Sequence, residues 1–356
     1  MDFSVDEYRY EDNKEFYEKS EVDFEEILHE MFLTDYSQMF SKEYKKSDIP
    51  TVVDGMNHLT RDEKDQLEAL LLKYKDTLFD GTLGTWKGVK CDIELKEGAR
   101  PYHCRPYAVP KAYEKQLREE VERLVRIGVL RKINNSEWGS PPFPQPKKDV
   151  SIRFLTDFRE LNKRIKRKPF PLPKIQDLLQ SLEGFTYATS LDLNMGYYHI
   201  ELSPASKQLC TLVFPFGKYE MQRLPMGLCN SPDIFQEKMS ELFDGLEFVR
   251  TYIDDLLCLT KGTFEDHLEK LERVLHRLRE AGLKVNGKKS FFAKAELEYL
   301  GYWITHDGIK PLPDKVKAIL AIDSPRNRKE LRSFIGIVNY YRDMWIKRSH
   351  VLAPLA

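Results

Sequence analysis

The sequence predicts an α+β fold, and three observations lead there. Apolar residues make up 41% of the 356 positions, enough to bury a sizeable core. They fall partly into short strand-like runs and partly into longer stretches with helical spacing. These two kinds of segment are interspersed without a regular βαβ alternation. No run approaches roughly 18 apolar residues, so no membrane span is expected, and no repeat of roughly 20–50 residues is evident.

Residues 1–50 lack a sustained amphipathic period and read as an acidic, flexible N-terminal segment, with a short helix expected near 24–32. The opening MDFSVDEYRYEDNKEFYEK contains no apolar h-region, so no secretory leader is expected. An N-terminal extension follows over 51–110. In it Thr60-Arg-Asp-Glu63 forms a capping box, in which the Thr hydroxyl and the Glu carboxylate satisfy free backbone donors. The helix it starts carries Leu67, Leu70, Leu71 and Tyr74. Residues 90–110 are expected to be extended, broken by Pro101, Pro106 and Pro110. Residues 111–127 read as a helix with Leu117, Val121, Leu124 and Val125 on one stripe and Gly128 ending it. A proline-rich loop over 140–146 leads to Lys147-Lys148-Asp149 and a strand at 152–155.

Further on, 187–193 reads as a strand and 232–243 as a helix. Apolar strands at 248–253 and 256–260 meet at Asp254-Asp255. Residues 264–281 are a helix, with Leu268, Leu271, Leu275 and Leu278 on its buried face and Gly282 beyond its end. Residues 299–305 read as a strand, and two helices follow near 313–321 and 328–345.

Charge is unevenly placed. The chain holds 56 Lys+Arg against 57 Asp+Glu. Residues 1–30 carry 12 acidic and 3 basic side chains, a net of −9, which leaves +8 on the remainder. Residues 131–174 alone carry 12 basic and 4 acidic side chains, again +8. A basic block behind an acidic arm is either a polyanion site or a solvated face. Cys91, Cys104, Cys210, Cys229 and Cys258 form no CxxC pair and no close Cys/His cluster. That argues against structural zinc and a disulfide framework and fits a reducing compartment.

The sharpest feature is Tyr252-Ile253-Asp254-Asp255. Side chains alternate along a strand, so the two carboxylates leave the hairpin in different directions unless the turn twists. A further carboxylate has to come from elsewhere, and Asp192, ending the strand Ser190-Leu-Asp-Leu193, is the candidate. Phosphoryl transfer needs such a set: two divalent ions about 3.5–4 Å apart hold the attacking 3′-hydroxyl and the leaving pyrophosphate. Carboxylate oxygens are the ligands Mg²⁺ prefers. The tetrapeptide taken alone is equally an ordinary Asp-rich turn.

The pair does not stand alone. In order, the chain reads WGSPPFPQPKKDVSIRFLTDFRELNKR, SLDLNMGYYHIEL, FGKYEMQRLPMGLCNSPDIFQEKM, YIDDLL, LKVNGKKSFF, LEYLGYWITHDGIKP and KELRSFIGIVNYYRDMW. These seven blocks resemble the reverse transcriptase of gypsy-type LTR retrotransposons, from about Leu59 to the last residue, roughly five-sixths of the chain.

The resemblance implies a right-hand polymerase whose palm is an antiparallel sheet backed by helices. Fingers and palm would span 111–308, with fingers near 111–185 and 200–230, and a partial thumb or start of the connection would span 309–356. Asp192, Asp254 and Asp255 match the catalytic carboxylates, with the Leu193 carbonyl as an additional ligand for two Mg²⁺ (or Mn²⁺) ions. Lys147 and Arg153 match the residues that grip the incoming dNTP triphosphate, Arg because its fork makes bidentate bonds to phosphate. The alternative for Lys147 is a solvated loop lysine.

Tyr197 matches the aromatic gate that crowds a ribose 2′-hydroxyl, and is otherwise a core aromatic. Met226-Gly227 falls at the dNTP site, where a Met offers packing but only a weak acceptor. Leu300-Gly301-Tyr302 matches the primer grip, and its glycine is otherwise a simple bulge. Arg159 contacts template or pairs with Asp157 or Glu160. Lys289 is a general acid for pyrophosphate or a surface lysine.

The partners implied are a primed RNA or DNA template and dNTPs, with no membrane. Protease, ribonuclease H and integrase motifs are not evident in this chain. An intracellular, cytoplasmic location is expected, in a virus-like particle for an intact element. The activity implied is RNA-directed DNA polymerisation. The alternative is a truncated, inactive remnant that only binds nucleic acid.

Overall fold

The structure is a computed structural model of the chain and describes residues 46–146, 152–180, 182, 184–344 and 347–353. The helix expected near 24–32 and Lys147 lie outside the described residues, as does the side chain of Arg153. Two compact units divide between Lys310 and Pro311.

The larger unit opens with helices Ile49–Asp54 and Arg61–Leu72. The Thr60–Glu63 capping box is present, with Thr60 Oγ1 accepting the Glu63 N–H at 3.3 Å and Glu63 Oε2 accepting the Thr60 N–H at 2.8 Å. The strands, in chain order, are β1 (Lys90–Cys91), β2 (Leu130–Ile133), β3 (Pro142–Pro146), β4 (Ile152–Thr156), β5 (Tyr187–Asp192), β6 (Glu201–Leu202) and β7 (Thr211–Phe214). They continue with β8 (Gly217–Met221), β9 (Val249–Tyr252), β10 (Asp255–Thr260), β11 (Phe291–Lys294), β12 (Leu297–Tyr299), β13 (Tyr302–Thr305) and β14 (Gly308–Pro311).

Among the described residues five small sheets form: β1-β6, β11-β5-β10-β9, β12-β13-β14, β2-β8-β7 and β3-β4. The four-stranded sheet is antiparallel throughout and is backed by the Ser231–Leu242 and Phe264–Ala281 helices. Leu256, Leu257 and Cys258 are fully buried, so β10 is covered on both faces. One continuous core runs through this unit from Ile49 to Ala293. Behind the sheet the ring of His267 bridges Thr189 Oγ1 at 2.8 Å and Thr260 Oγ1 at 2.9 Å, so its polar atoms are satisfied inside the core.

Several elements differ from the sequence reading. The proline-rich segment is not a loop. Residues 142–146 pair with 152–156 as a hairpin. Prolines at 142, 144 and 146 share one side of the strand at period two, so their missing donors all lie along the same edge and the ladder uses the residues between them. The single strand expected over 299–305 is a hairpin, because Leu300 and Gly301 both take positive φ (49° and 80°) and pair Tyr299 with Tyr302. The turn carrying the aspartates sits one residue earlier than expected, on Ile253-Asp254, and Asp255 is the first residue of β10.

After Pro311 the chain forms helices Pro313–Leu320, Arg328–Val338 and Arg348–Leu352. Asn327 caps the second by accepting the Glu330 N–H at 2.9 Å. The helix expected over 328–345 ends at Val338 and continues as a 3₁₀ turn, Asn339–Met344, with a break in helical dihedrals at Tyr341. No helix of the described residues is long and apolar enough to cross a membrane.

Candidate active site

The site is assembled on the middle strands of the four-stranded sheet. β5 runs into Asp192 as β10 leaves Asp255, and the two residues face each other across the antiparallel ladder. Directly opposed residues project to the same side of a sheet. Asp255 also pairs with Tyr252 across the hairpin. Asp254 occupies the turn itself and reaches the same region from the end of the hairpin. Its carboxyl senses the Asp192 charge, and it packs where a Cβ on Gly196 would lie 3.4 Å from the Asp254 Cβ.

Ile253, the other turn residue, is buried and held at φ 57°, a conformation a β-branched side chain rarely takes. The Ile253 N–H donates to Gln236 Oε1 at 2.6 Å. The Gln236 amide in turn donates to the Thr251 carbonyl at 3.4 Å and Thr251 Oγ1 at 3.3 Å. Gln236, from the Ser231–Leu242 helix, is buried and ties the end of β9 to the first residue of the turn. The backbone around Asp192 is fixed in a similar way. The Asp192 N–H donates to Ser290 Oγ at 3.2 Å, and the Asp192 carbonyl accepts the Asn286 N–H at 2.9 Å. Leu193 pairs with Val285 as an antiparallel bridge, whose bonds use the Asp192 and Lys284 carbonyls. The Leu193 carbonyl is therefore not spent on that pairing.

Burial raises both acidic groups. Asp192 is pushed up to about 6 by desolvation, with Lys289 pulling it back. Asp254 is pushed up to about 7 by desolvation, opposed by its own backbone N–H and reinforced by Asp192. Two desolvated carboxyls that repel each other are a donor set a hard divalent cation suits, since the cation removes both penalties. Asp255 is exposed beside them. Among the described residues no three His, Cys, Asp or Glu side chains close around a single point. The local arrangement is thus a repelling pair, Asp192 and Asp254, with Asp255 alongside, rather than a ready three-carboxylate cage.

The other candidate residues fall in two places. Met226, Gly227 and Arg159 line one cavity of about 320 Å³, together with Phe143, Leu155 and Asp157. Arg159 pairs bidentately with Asp157, at 2.9 Å from Nε and 2.7 Å at the outer nitrogen. Tyr107 also donates to Asp157 at 2.9 Å. The Arg159 guanidinium holds the Asp157 carboxyl well below the usual carboxylate range. Glu160 pairs instead with Lys163 and Arg164. Asn162 fixes the Met226-Gly227 turn, donating to the Gly227 carbonyl and accepting the Cys229 N–H, both at 2.9 Å.

Tyr197 sits in the turn after Asp192, buried, with its ring 5.2 Å from Phe235 and edge-on to it. Leu300-Gly301-Tyr302 form the β12-β13 hairpin. That hairpin approaches the aspartates, for burial and then the Asp255 charge raise the Tyr299 phenol, with Arg250 opposing. Lys289 is half-buried near Asp192.

Sequence reasoning missed Gln236, Ser290 and Asn162. Gln236 and Ser290 lie within quoted blocks, in PDIFQEKM and GKKSFF, and Asn162 follows DFREL. A buried amide partner 17 residues away has no local signature.

Residues 145–304 match the family described as Reverse transcriptase (RNA-dependent DNA polymerase). The chain is 30% identical over 308 residues to the retrovirus-related Pol polyprotein from transposon 297 of Drosophila melanogaster, covering 84% of this chain and 29% of that one. It is 33% identical over 261 residues to the corresponding polyprotein from transposon opus, also of Drosophila melanogaster, covering 72% and 26%. It is 30% identical over 271 residues to the transposon Tf2-3 polyprotein of Schizosaccharomyces pombe, covering 76% and 20%. The chain therefore spans less than a third of these polyproteins.

Among solved structures it is similar to the foamy viral protease-reverse transcriptase in complex with dsDNA. That match has a TM-score of 0.80 and 28% identity over 89% of this chain and 66% of that one. It is also similar to the same protein in complex with RNA/DNA hybrid, with a TM-score of 0.77 and 28% identity over 86% and 42%. The fold is that of a right-hand polymerase, and the chain belongs to the reverse transcriptase family, alongside the Pol polyproteins of gypsy-type LTR retrotransposons.

Proposed function

We propose that this chain extends a primer 3′-hydroxyl with dNTPs on an RNA or DNA template. The observation that carries the reading is the pair of desolvated, mutually repelling carboxyls Asp192 and Asp254, with Asp255 opposite Asp192 in the ladder. Two Mg²⁺ (or Mn²⁺) ions, when bound, supply activation of the 3′-hydroxyl and charge neutralisation on the pyrophosphate. Asp192, Asp254, Asp255 and the Leu193 carbonyl are the oxygens that would hold them. Lys147 and Arg153 grip the triphosphate. Tyr197 crowds the sugar 2′ position, and Met226-Gly227 packs on the nucleotide.

Arg159, pinned by Asp157 with its outer face exposed, faces template. The Leu300-Gly301-Tyr302 hairpin positions the primer terminus, and Lys289 gives a proton to pyrophosphate. Catalysis is positioning plus electrostatic stabilisation of an in-line displacement. Residues 111–308 supply fingers and palm, and residues from 309 the start of a thumb. The site of action is intracellular. The reading is supported by family membership and by relatives seen with dsDNA and with RNA/DNA hybrid.

The competing reading is a remnant that binds nucleic acid through its basic block without chemistry. Binding of a primed template at two salt concentrations, with and without Mg²⁺ and the next dNTP, separates them. Both readings give steep salt dependence. Only the polymerase gives a complex stabilised by the correct dNTP and not by a mismatched one.

A further inference from the structure

The turn that follows Asp192 is held from behind by a single buried side chain. His199 is fully buried and ends the 3₁₀ turn Gly196–His199. Its Nε2 lies 3.0 Å from the Lys284 backbone nitrogen, which can only donate. Nε2 is therefore the acceptor and the ring proton sits on Nδ1, which donates to the Gly196 carbonyl at 2.9 Å. The ring thus joins two backbone segments that both frame the aspartates. On one side, Gly196 lies against Asp254, where a Cβ on the glycine would sit in van der Waals contact with the Asp254 side chain, 3.4 Å from its Cβ. On the other, Lys284 accepts the Asn194 N–H at 2.9 Å, and Asn286, two residues on, donates to the Asp192 carbonyl at 2.9 Å.

The clamp is braced by the N-terminal extension, which lies outside the matched family region. The Trp86 N–H donates to the His199 carbonyl at 2.8 Å and the Val285 N–H to the Leu78 carbonyl at 2.8 Å. Lys284 Nζ donates to the Thr77 carbonyl at 2.7 Å and to Asp80 at 2.6 Å. Gly84 is packed so tightly that a Cβ there would come within 2.7 Å of the His199 ring and 2.3 Å of the Gly282 carbonyl.

We infer that His199 is a positioning residue for the carboxylate pair, fixing the distance between Asp254 and Asp192 by bolting the Gly196 turn to the Lys284 backbone. The inference rests on the polymerase reading for its catalytic consequence, but its effect on cation binding does not. A polar clamp with both ends satisfied specifies one geometry, whereas an apolar side chain of similar size removes the ring's bond to the Gly196 carbonyl and takes from the Lys284 N–H the acceptor the ring supplies.

The test uses three variants of the full chain. Asn at 199 reproduces the Nδ1 donor, Gln reproduces the Nε2 acceptor, and Leu reproduces neither. For each, Mn²⁺ affinity is read by electron paramagnetic resonance, and kcat and KM by primer extension. Loss of site geometry of this kind costs on the order of 10²-fold in turnover. The expectation is that H199L lowers kcat by about that factor and weakens Mn²⁺ binding, with KM for primed template nearly unchanged, while H199N and H199Q each recover part of both.

If H199L does not reach a native circular dichroism spectrum, H199N and H199Q carry the test, each expected to fall between wild type and the fully unclamped level. The inference is overturned if the folded variants match wild type in Mn²⁺ affinity and kcat. It is also overturned if they differ only in proportion to lost thermal stability. Absence of extension by wild type would count against the polymerase reading instead, and the Mn²⁺ arm would still decide the role of His199.

Discussion

Gln236 Oε1 accepts the backbone N–H of Ile253 at 2.6 Å, and that bond fixes the turn on which Asp254 sits. Ile253 is held at φ 57°, where a β-branched residue costs on the order of 1–3 kcal/mol. The strain is tolerated because the surrounding helix, through Gln236, determines the turn. Gln236→Met should keep the volume but release the turn, lowering kcat while KM for primed template stays close to wild type. Adding Ile253→Gly should restore much of the lost rate, because glycine adopts positive φ without strain. A double variant no faster than Gln236→Met would show that Gln236 acts only as core packing.

Two buried histidines shape the acid side of stability. Burial pushes His199 and His267 down to about 4, from an ordinary value of 6.5. Between those values the unfolded chain binds protons that the folded chain refuses. Stability present above pH 6.5 is therefore lost as pH falls toward 4, by on the order of 3 kcal/mol per histidine over the whole window. Asp192 and Asp254 act oppositely. They are raised in the folded state, so they favour folding at low pH and withdraw that contribution as pH rises through about 6 and 7. The comparison that isolates the histidine is urea unfolding of wild type and His267→Gln at pH 7 and pH 5. The variant should lose less stability on acidification than wild type, and an equal loss would remove the assignment.

The β12-β13 hairpin places a leucine where the backbone asks for Asn or Gly. Leu300 takes φ 49° and Gly301 φ 80°. Leu300→Asn should stabilise the protein by up to about 1 kcal/mol, and Gly301→Val should destabilise it by about 1–2 kcal/mol. Thermal melts would show the opposite signs of the two changes. A Leu300→Asn variant that melts earlier would mean that the leucine side chain holds the hairpin more than the turn strains it.

Tyr197 packs its ring against Phe235 directly after the Asp192 strand. As the sugar gate, it predicts that Tyr197→Ala lowers discrimination of dNTP over rNTP by on the order of 10–10²-fold, while Tyr197→Phe retains it. Competition between the two nucleotides on one template gives the ratio. Unchanged selectivity in Tyr197→Ala would leave the residue as core.

Much of this was legible in the sequence, because the signals were local. The capping box at Thr60–Glu63, the Phe264–Ala281 helix closed by Gly282 in the left-handed region, and Asp192 ending an apolar strand all follow from adjacent residues. The rest depended on partners far apart in the chain. The link between His199 and Lys284 spans 85 residues, and that between Gln236 and Ile253 spans 17. Nothing in the pattern around Gln236 or His199 marks which backbone group it will meet. The proline hairpin at 142–146 was hidden for another reason. Alternate prolines read as breakers unless the edge they occupy is known.

Asp192, Asp254 and Asp255 are proposed to make, together, a cation-dependent polymerase site. The measurement that tests it most directly is extension of a labelled DNA primer on an RNA template in Mg²⁺, by the purified chain and by Asp192→Asn, Asp254→Asn and Asp255→Asn. The prediction is extension by wild type, loss of it in each variant, and primed-template binding largely intact in all four. Extension that survives Asp254→Asn would contradict the site. A wild-type chain that binds primed template tightly, releases it with salt and never extends it would contradict the activity.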